Sequence, residues 1–324
     1  MTHETTPGGR TRRTTTDGKR PARGGPGPDR PRGRAAARRA LRREVPCTVG
    51  VLADAHDFAA MRDYRSFAFD DHPAYLRQVE DLLGSFAKDR LHTTVVLFDP
   101  EEYARYCTDE GIDPDSPLSR SRYTATAAAR SGALVYTGQP IDDLLSRLID
   151  DTVRRATWEY AATVLAGTGP CADCGQDIGK ASFDRAAHLV SRLLEAAGPG
   201  GHHLVCSVTA PEEQLFVTLA ADHDPAGPAA RLDPVAYAEF ITVLAVAVAL
   251  DRPAGVVLRT RTPGAPDRLY GWTVRRSSFV PLSEAGVFSA YCTDARTGEP
   301  VPPEPGTEYH AGFPVPTDDP DPHH

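Results

Sequence analysis

Asparagine is absent from this 324-residue chain, and lysine occurs only at Lys19, Lys88 and Lys180. Arg, Ala, Gly, Pro and Asp take their place, as a GC-rich bacterial coding sequence would direct. A high arginine count is therefore weak evidence for binding. Cysteine is sparse as well: six residues run from Cys47 to Cys292, with only Cys171 and Cys174 close together. That spacing excludes the dense disulfide framework of a small secreted domain and suits thiols in a reducing cytoplasm. No apolar stretch follows the N-terminus, so no secretory signal is expected. The most apolar run, Val235 to Leu250, contains Glu239 and falls short of the roughly 20 residues that span a bilayer. It reads as a buried helix, and no membrane association is expected.

Several motifs are also missing. The chain has no GxxxxGK[ST] loop, no GxGxxG after a strand, no GxSxG elbow and no HExxH. Common nucleotide, serine-hydrolase and zinc-protease chemistries therefore lack their residues. Gly198 to Gly201 follows a helical stretch and reads as its terminator, not as a phosphate cradle.

What is present, first, is charge separated along the chain. Residues 1–44 hold 12 Arg and one Lys against four acids, a net of +9, which leaves −17 on the rest to give the overall −8. Interleaved Gly, Pro and Thr with almost no large apolar side chain cannot offset ordering entropy, so residues 1–44 are expected to be a disordered tail. Only Arg34 to Arg43 has helix-forming composition. Such an arm could exchange its guanidinium groups for the counterions of nucleic acid, or fold onto an acidic body and drive self-association.

From about residue 45 the pattern alternates. Thr48–Ala53, Thr93–Phe98 and Ala133–Thr137 are apolar strand-like runs. Tyr75, Val79, Leu82, Leu83 and Phe86 recur at helical spacing, as do Ile141, Leu144, Leu145, Leu148, Ile149 and Val153. This predicts a three-layer, parallel-sheet, Rossmann-like α/β domain over 45–166. The pattern then changes. A loop at 167–179 precedes an amphipathic helix from about Ser182 to Ala197. Strand pairs at 203–208 with 214–220, and at 256–262 with 269–275, read as antiparallel hairpins, so 167–296 is expected to be an α+β domain. Residues 297–324 are Pro-rich and acidic and read as an unstructured tail.

The sharpest local motif is Cys171-Ala172-Asp173-Cys174-Gly175. Two thiolates three positions apart on a tight turn supply half of a tetrahedral zinc site. These five residues resemble a zinc knuckle, which implies a structural zinc. The candidates to complete it are His188, on the following helix, one of His202, His203 and Cys206, and Cys47, Cys107 or Cys292 from elsewhere in the fold. In an extended strand His202 and Cys206 stand roughly 13 Å apart, at about 3.3 Å per residue, so at most one of them could join. A reversible dithiol is disfavoured because a long helix precedes the pair, where a thioredoxin-type motif needs a strand.

A second constellation is acidic. Asp54, His56 and Asp57 follow the first strand; Asp99, Glu101 and Glu102 follow the second. Residues just beyond strand C-termini in a parallel sheet face the binding crevice. Asp54, Asp57 and Asp99 could hold a divalent cation there for phosphoryl chemistry. The strand ending in Asp, VGVLAD, is similar to that of PIN-like nucleases, which implies a metal-dependent nuclease. The same acids are also good helix N-caps. Arg259 and Arg261 share one face of a C-terminal hairpin, near Tyr270 and Trp272 in sequence, and could meet an anionic partner.

The leading expectation is thus a non-enzymatic cytoplasmic accessory protein that binds a protein or nucleic-acid partner. The alternatives are a divalent-metal phosphoesterase or nuclease, and a small-molecule sensor that uses the crevice above the first strands.

Overall fold

The computed structural model describes residues 47–223, 231–275, 277–294 and 297–316. The Arg-rich segment 1–44, with its expected helix at 34–43, lies outside them. Among the described residues the chain builds two sheets and two apolar cores.

The first sheet has three strands in the order β1 (Cys47–Val51), β2 (Thr93–Leu97), β3 (Leu134–Val135). Its helices start where short polar side chains can hold their unsatisfied amides. Asp54 caps α1 (Ala55–Met61), Asp71 caps α2 (His72–Lys88), Asp99 caps α3 (Pro100–Glu110) and Ser116 caps α4 (Pro117–Ser131). Proline stands in the first turn of α2, α3 and α4, where a missing N–H costs nothing.

The all-parallel expectation needs correction here. β1 and β2 are parallel, with Val49 beside Val95, but β3 pairs antiparallel to β2, with Leu134 beside Val95. The reason lies in the connection. One crossover helix would return the chain to the start of β2 and permit a parallel strand. Two successive longer helices, α3 and α4, bring it back to the end of β2, so β3 runs the other way, whereas between β1 and β2 the long α2 follows only the seven-residue α1 and the strands stay parallel. The Ser116-Pro117 start and alanine-rich body of α4 are the signals that escaped the sequence reading.

The second sheet has seven strands: β4 (Gly200–Thr209), β5 (Gln214–His223), β6 (Arg231–Leu232), β7 (Ala254–Arg261), β8 (Asp267–Arg275), β9 (Ser278–Pro281) and β10 (Thr307–Tyr309). The main path is β10-β8-β7-β4-β5-β6, with β9 on β8. The pairings are antiparallel except β10 with β8. Strict alternation along β5 buries Leu215, Val217, Leu219 and Ala221 and leaves the residues between them exposed.

Three helices cover the buried face: α5 (Ile141–Ala166), α6 (Ile178–Ala197) and α7 (Pro234–Leu250). α7 is apolar on all sides, and Phe240 to Ala247 are buried, because α5 and α6 cover it on one side and β4 and β5 on the other. No helix among the described residues is long and apolar enough to cross a membrane. α6 begins at Ile178, four residues before the expected start, capped by Asp177. Gly179 fits inside it because a β-carbon there would stand 2.8 Å from the Leu165 carbonyl oxygen.

α5 joins the two cores. Its first half gives Ile141, Leu144, Leu145 and Leu148 to the first, and its second half gives Ala161 and Leu165 to the second. Arg154, midway along it, donates from Nη1 to both oxygens of the nearly buried Glu239 carboxylate on α7, at 2.5 and 2.6 Å.

The stretch expected to be an unstructured C-terminal tail packs instead over its described part. β10 lies on the edge of β8, and Phe313 meets Trp272 edge-on with ring centroids 4.9 Å apart. Trp272 Nε1 donates to the Phe313 carbonyl at 2.9 Å. Proline excludes a helix here but allows extended chain beside a sheet. A final short helix, α8 (Glu284–Tyr291), packs against β8 through Val287, which touches Gly271.

Candidate functional site

Among the described residues β1 is an edge strand, and its outer side borders a cleft of about 600 Å³. In the parallel ladder the Cys47 N–H donates to the His92 carbonyl and the Phe98 N–H to the Val51 carbonyl. Odd-numbered residues of β1 therefore face β2. Thr48 and Gly50 turn their peptide groups the other way, toward the cleft.

Its walls come from both layers that flank the sheet. Leu82 and Phe86 of α2 stand on one side; Pro117, Arg120, Ser121 and Thr124 of α4 stand on the other. Phe67 and Phe69, from the loop between α1 and α2, close one end over Met61 and Tyr75. Gly50 is required where α4 crosses β1, because a β-carbon there would lie 2.8 Å from Thr124 Oγ1 and 3.1 Å from the Phe98 ring. Volume and lining are those of a small-ligand site: mostly apolar and aromatic, with a few polar groups.

Arg120 is the one charged residue in that lining among the described residues. Its Nη1 donates to Ser66 Oγ at 2.8 Å and its Nη2 to the Ser66 carbonyl at 3.2 Å, which ties the Phe67–Phe69 loop to α4. Asp115 holds the same loop by accepting from the Arg65 and Ser66 amides. The Ser66 hydroxyl first, and then the Ser66 and Arg65 amides, hold the Asp115 carboxyl below its usual range. Tyr75 accepts from the Leu52 N–H at 3.2 Å. Burial pushes its phenol up to about 12, so it remains neutral.

The acidic constellation lies at the C-terminal ends of β1 and β2. Burial raises the Asp57 carboxyl pKa, and the nearby charges of Asp54 and Asp99 raise it further, so acids from the two strand ends are neighbours. Yet Asp54 accepts from the Asp57 N–H at 2.9 Å, and Asp99 from the amides of Glu101 and Glu102 at 2.8 and 2.9 Å. Both are engaged as helix caps. Among the described residues no group of three or more His, Cys, Asp or Glu is placed to hold a metal ion.

The same holds for the knuckle. Cys171 and Cys174 occupy one turn between α5 and α6, but neither His188 nor Cys206 reaches them to form such a group. His188 is ten residues into α6, about 15 Å along its axis at 1.5 Å per residue. Cys206 is fully buried in the middle of β4, where desolvation pushes its thiol up to about 12. His202 shares the buried face of β4 with Cys206, and both its ring nitrogens are engaged, one 3.1 Å from Thr260 Oγ1 and the other 2.8 Å from the Gly198 carbonyl. On the arginine face of β7, Arg259 pairs with Asp267, Glu304 and Tyr291, Arg261 pairs with Asp267 but stays largely exposed, and Trp272 lies in the core.

Sequence reasoning missed the cleft residues. The one available signal was the aromatic pair Phe67 and Phe69 set in a polar loop, an apolar expense without helical or strand period. A family model described as a domain of unknown function, DUF8829, matches residues 36–139, about a third of the chain. That stretch holds the whole lining of the cleft and Asp54, Asp57 and Asp99, and it excludes Cys171 and Cys174. No curated protein and no solved structure matches the chain.

Proposed function

We propose that this chain is a non-enzymatic binding protein whose N-terminal unit holds a small, largely apolar molecule with an anionic end. The observation that carries this reading is the cleft of about 600 Å³ between α2, α4 and the outer edge of β1, with Arg120 as its only charge among the described residues. Apolar burial would supply affinity, and the Arg120 guanidinium, with the outward peptide groups of Thr48 and Gly50, would orient the ligand. The phosphoesterase alternative draws less support, because Asp54 and Asp99 each commit one oxygen to a helix cap and no metal-holding group of three forms among the described residues. A second reading, the extended segment of a protein partner added beside β1, is favoured by the same outward peptide groups.

The test is a titration with 1-anilinonaphthalene-8-sulfonate, whose rings suit the walls and whose sulfonate suits Arg120. Saturable one-to-one binding is expected, weakened about tenfold or more by Leu82→Glu, which sets a carboxylate on the exposed rim. Binding that is unaltered by Leu82→Glu and by Phe69→Ala would place the dye elsewhere and overturn the small-ligand reading. A dye displaced by extended peptides but by no small apolar acid would favour the partner strand.

A further inference from the structure

The turn between α5 and α6 projects from the body as a stiff finger. Residues 172–177 are exposed, and the space around Gly169 and Gly175 is open. Its base is closed by a strand-like bridge between Pro170 and Asp177 and by the Ile178 N–H donating to the Gly169 carbonyl at 3.1 Å. Within it the Cys171 N–H donates to the Gln176 carbonyl at 2.7 Å and the Gly175 N–H to the Cys171 carbonyl at 2.9 Å. Gly175 adopts φ +73°, a left-handed conformation that favours glycine.

That folding aims the backbone amides of Cys174 and Asp173 at the Cys171 sulfur, and the Cys174 thiol joins them. This is the arrangement a metal-binding cysteine pair needs: both sulfurs on one turn, with the backbone already bent. Neither cysteine is in a disulfide.

Two donors do not complete a tetrahedral zinc ion. The other cysteines are distant or sealed: Cys107, Cys206 and Cys292 are buried, and Cys47 belongs to β1. Among the described residues no third donor joins the pair. A second copy of the same finger, related by a two-fold axis, would present the same two sulfurs, and a two-fold is the commonest symmetry of soluble oligomers.

We infer that Cys171 and Cys174 form half of an intermolecular zinc site, in which two copies of this chain are clamped tip to tip by one ion bound to four thiolates. Each of the four thiols gives its proton to solvent as its zinc–sulfur bond forms, so four protons leave per ion and nothing is oxidised. The assembled centre carries two net negative charges, with Asp173 of each copy beside it. Like charges therefore oppose the joint, and added salt relieves them. That sign separates this dimer from an association of the Arg-rich segment with the acidic body, which salt would weaken.

The experiment titrates zinc into the reduced, metal-free full chain and follows mass by light scattering and metal content by elemental analysis. The expected result is a dimer with one zinc per two chains, reversed by EDTA and tightened by salt, with Cys171→Ser and Cys174→Ser each remaining monomeric. Cobalt in place of zinc should give the intense sulfur-to-metal absorption of a four-thiolate centre. One zinc per chain on a monomer, no retained zinc, or a dimer indifferent to EDTA or to the two serine variants would each overturn the proposal. Loss of the cleft's dye binding would leave it standing, because the two sites share no residue.

Discussion

The two cores of this protein are built from different materials. The first is aromatic: Phe58, Phe67, Phe69 and Tyr75 stack in one group, and Phe98, Tyr103, Tyr106 and Tyr123 in another, with ring centroids 4.8 to 5.9 Å apart. The second is chiefly Leu, Val and Ala, packed between the seven-stranded sheet and α5 to α7. Large rigid rings on a three-stranded sheet leave gaps that small aliphatic side chains would fill, and the cleft beside β1 is such a gap. The larger sheet is sealed on its core face. Incomplete packing of the smaller core, not of the larger one, leaves the cleft beside β1.

The largest expected effect is on the sealed side. Leu244→Ala, at a fully buried position of α7, should cost about 2–5 kcal/mol in denaturant unfolding. Leu82→Ala on the cleft rim, where the side chain is 43% exposed, should cost about 0.5 kcal/mol or less. Equal losses would break the contrast between the two cores. Next, Gly179→Ala should cost about 1–3 kcal/mol, because its methyl group meets the Leu165 carbonyl and must force α5 and α6 apart. An unchanged midpoint would show that the helices yield freely there.

Asp54→Ala should cost about 1 kcal/mol through loss of the α1 cap. The loss should be equal with and without Mg²⁺; a loss seen only with the cation would revive the metal reading of the strand-end acids. The smallest effect concerns Asp57. Its folded pKa lies above the unfolded 3.8, so its ionisation is unfavourable in the native state. Wild type and Asp57→Asn should show the same pH dependence below about pH 3.8. As pH rises through the raised value, only the wild type should lose stability, so the variant should gain relative to it by neutral pH. A relative loss at pH 7 would mean that the Asp57 carboxylate is used.

Much of the second unit was legible in the sequence. The alternation in β5 and the turn segments Ala210–Glu213 and Pro263–Asp267 specify hairpins through local chemistry, and the run at 235–250, apolar but for Glu239, Thr242 and the Tyr237 hydroxyl, reads as a buried helix. The cleft was not legible. Nothing in Cys47–Val51 says that it is an edge, because edge and centre differ only in what lies beside the strand. Nor does Leu134–Val135 announce its direction, which follows from the path that α3 and α4 take back along the sheet. The acids after β1 and β2 could be read as a metal site or as caps; which role uses their oxygens depends on where the helix amides point.

By itself the sequence determined the charge asymmetry, the aliphatic core and the tight Cys171–Gly175 turn, because composition, period and a glycine-bounded spacing act over neighbouring residues. Tertiary structure alone decided that β1 has an open side, that Arg120 reaches Ser66 to shape a cleft there, and that His188 and Cys206 stay away from the cysteine pair. Those outcomes rest on contacts between residues far apart in the chain, and no local pattern encodes them.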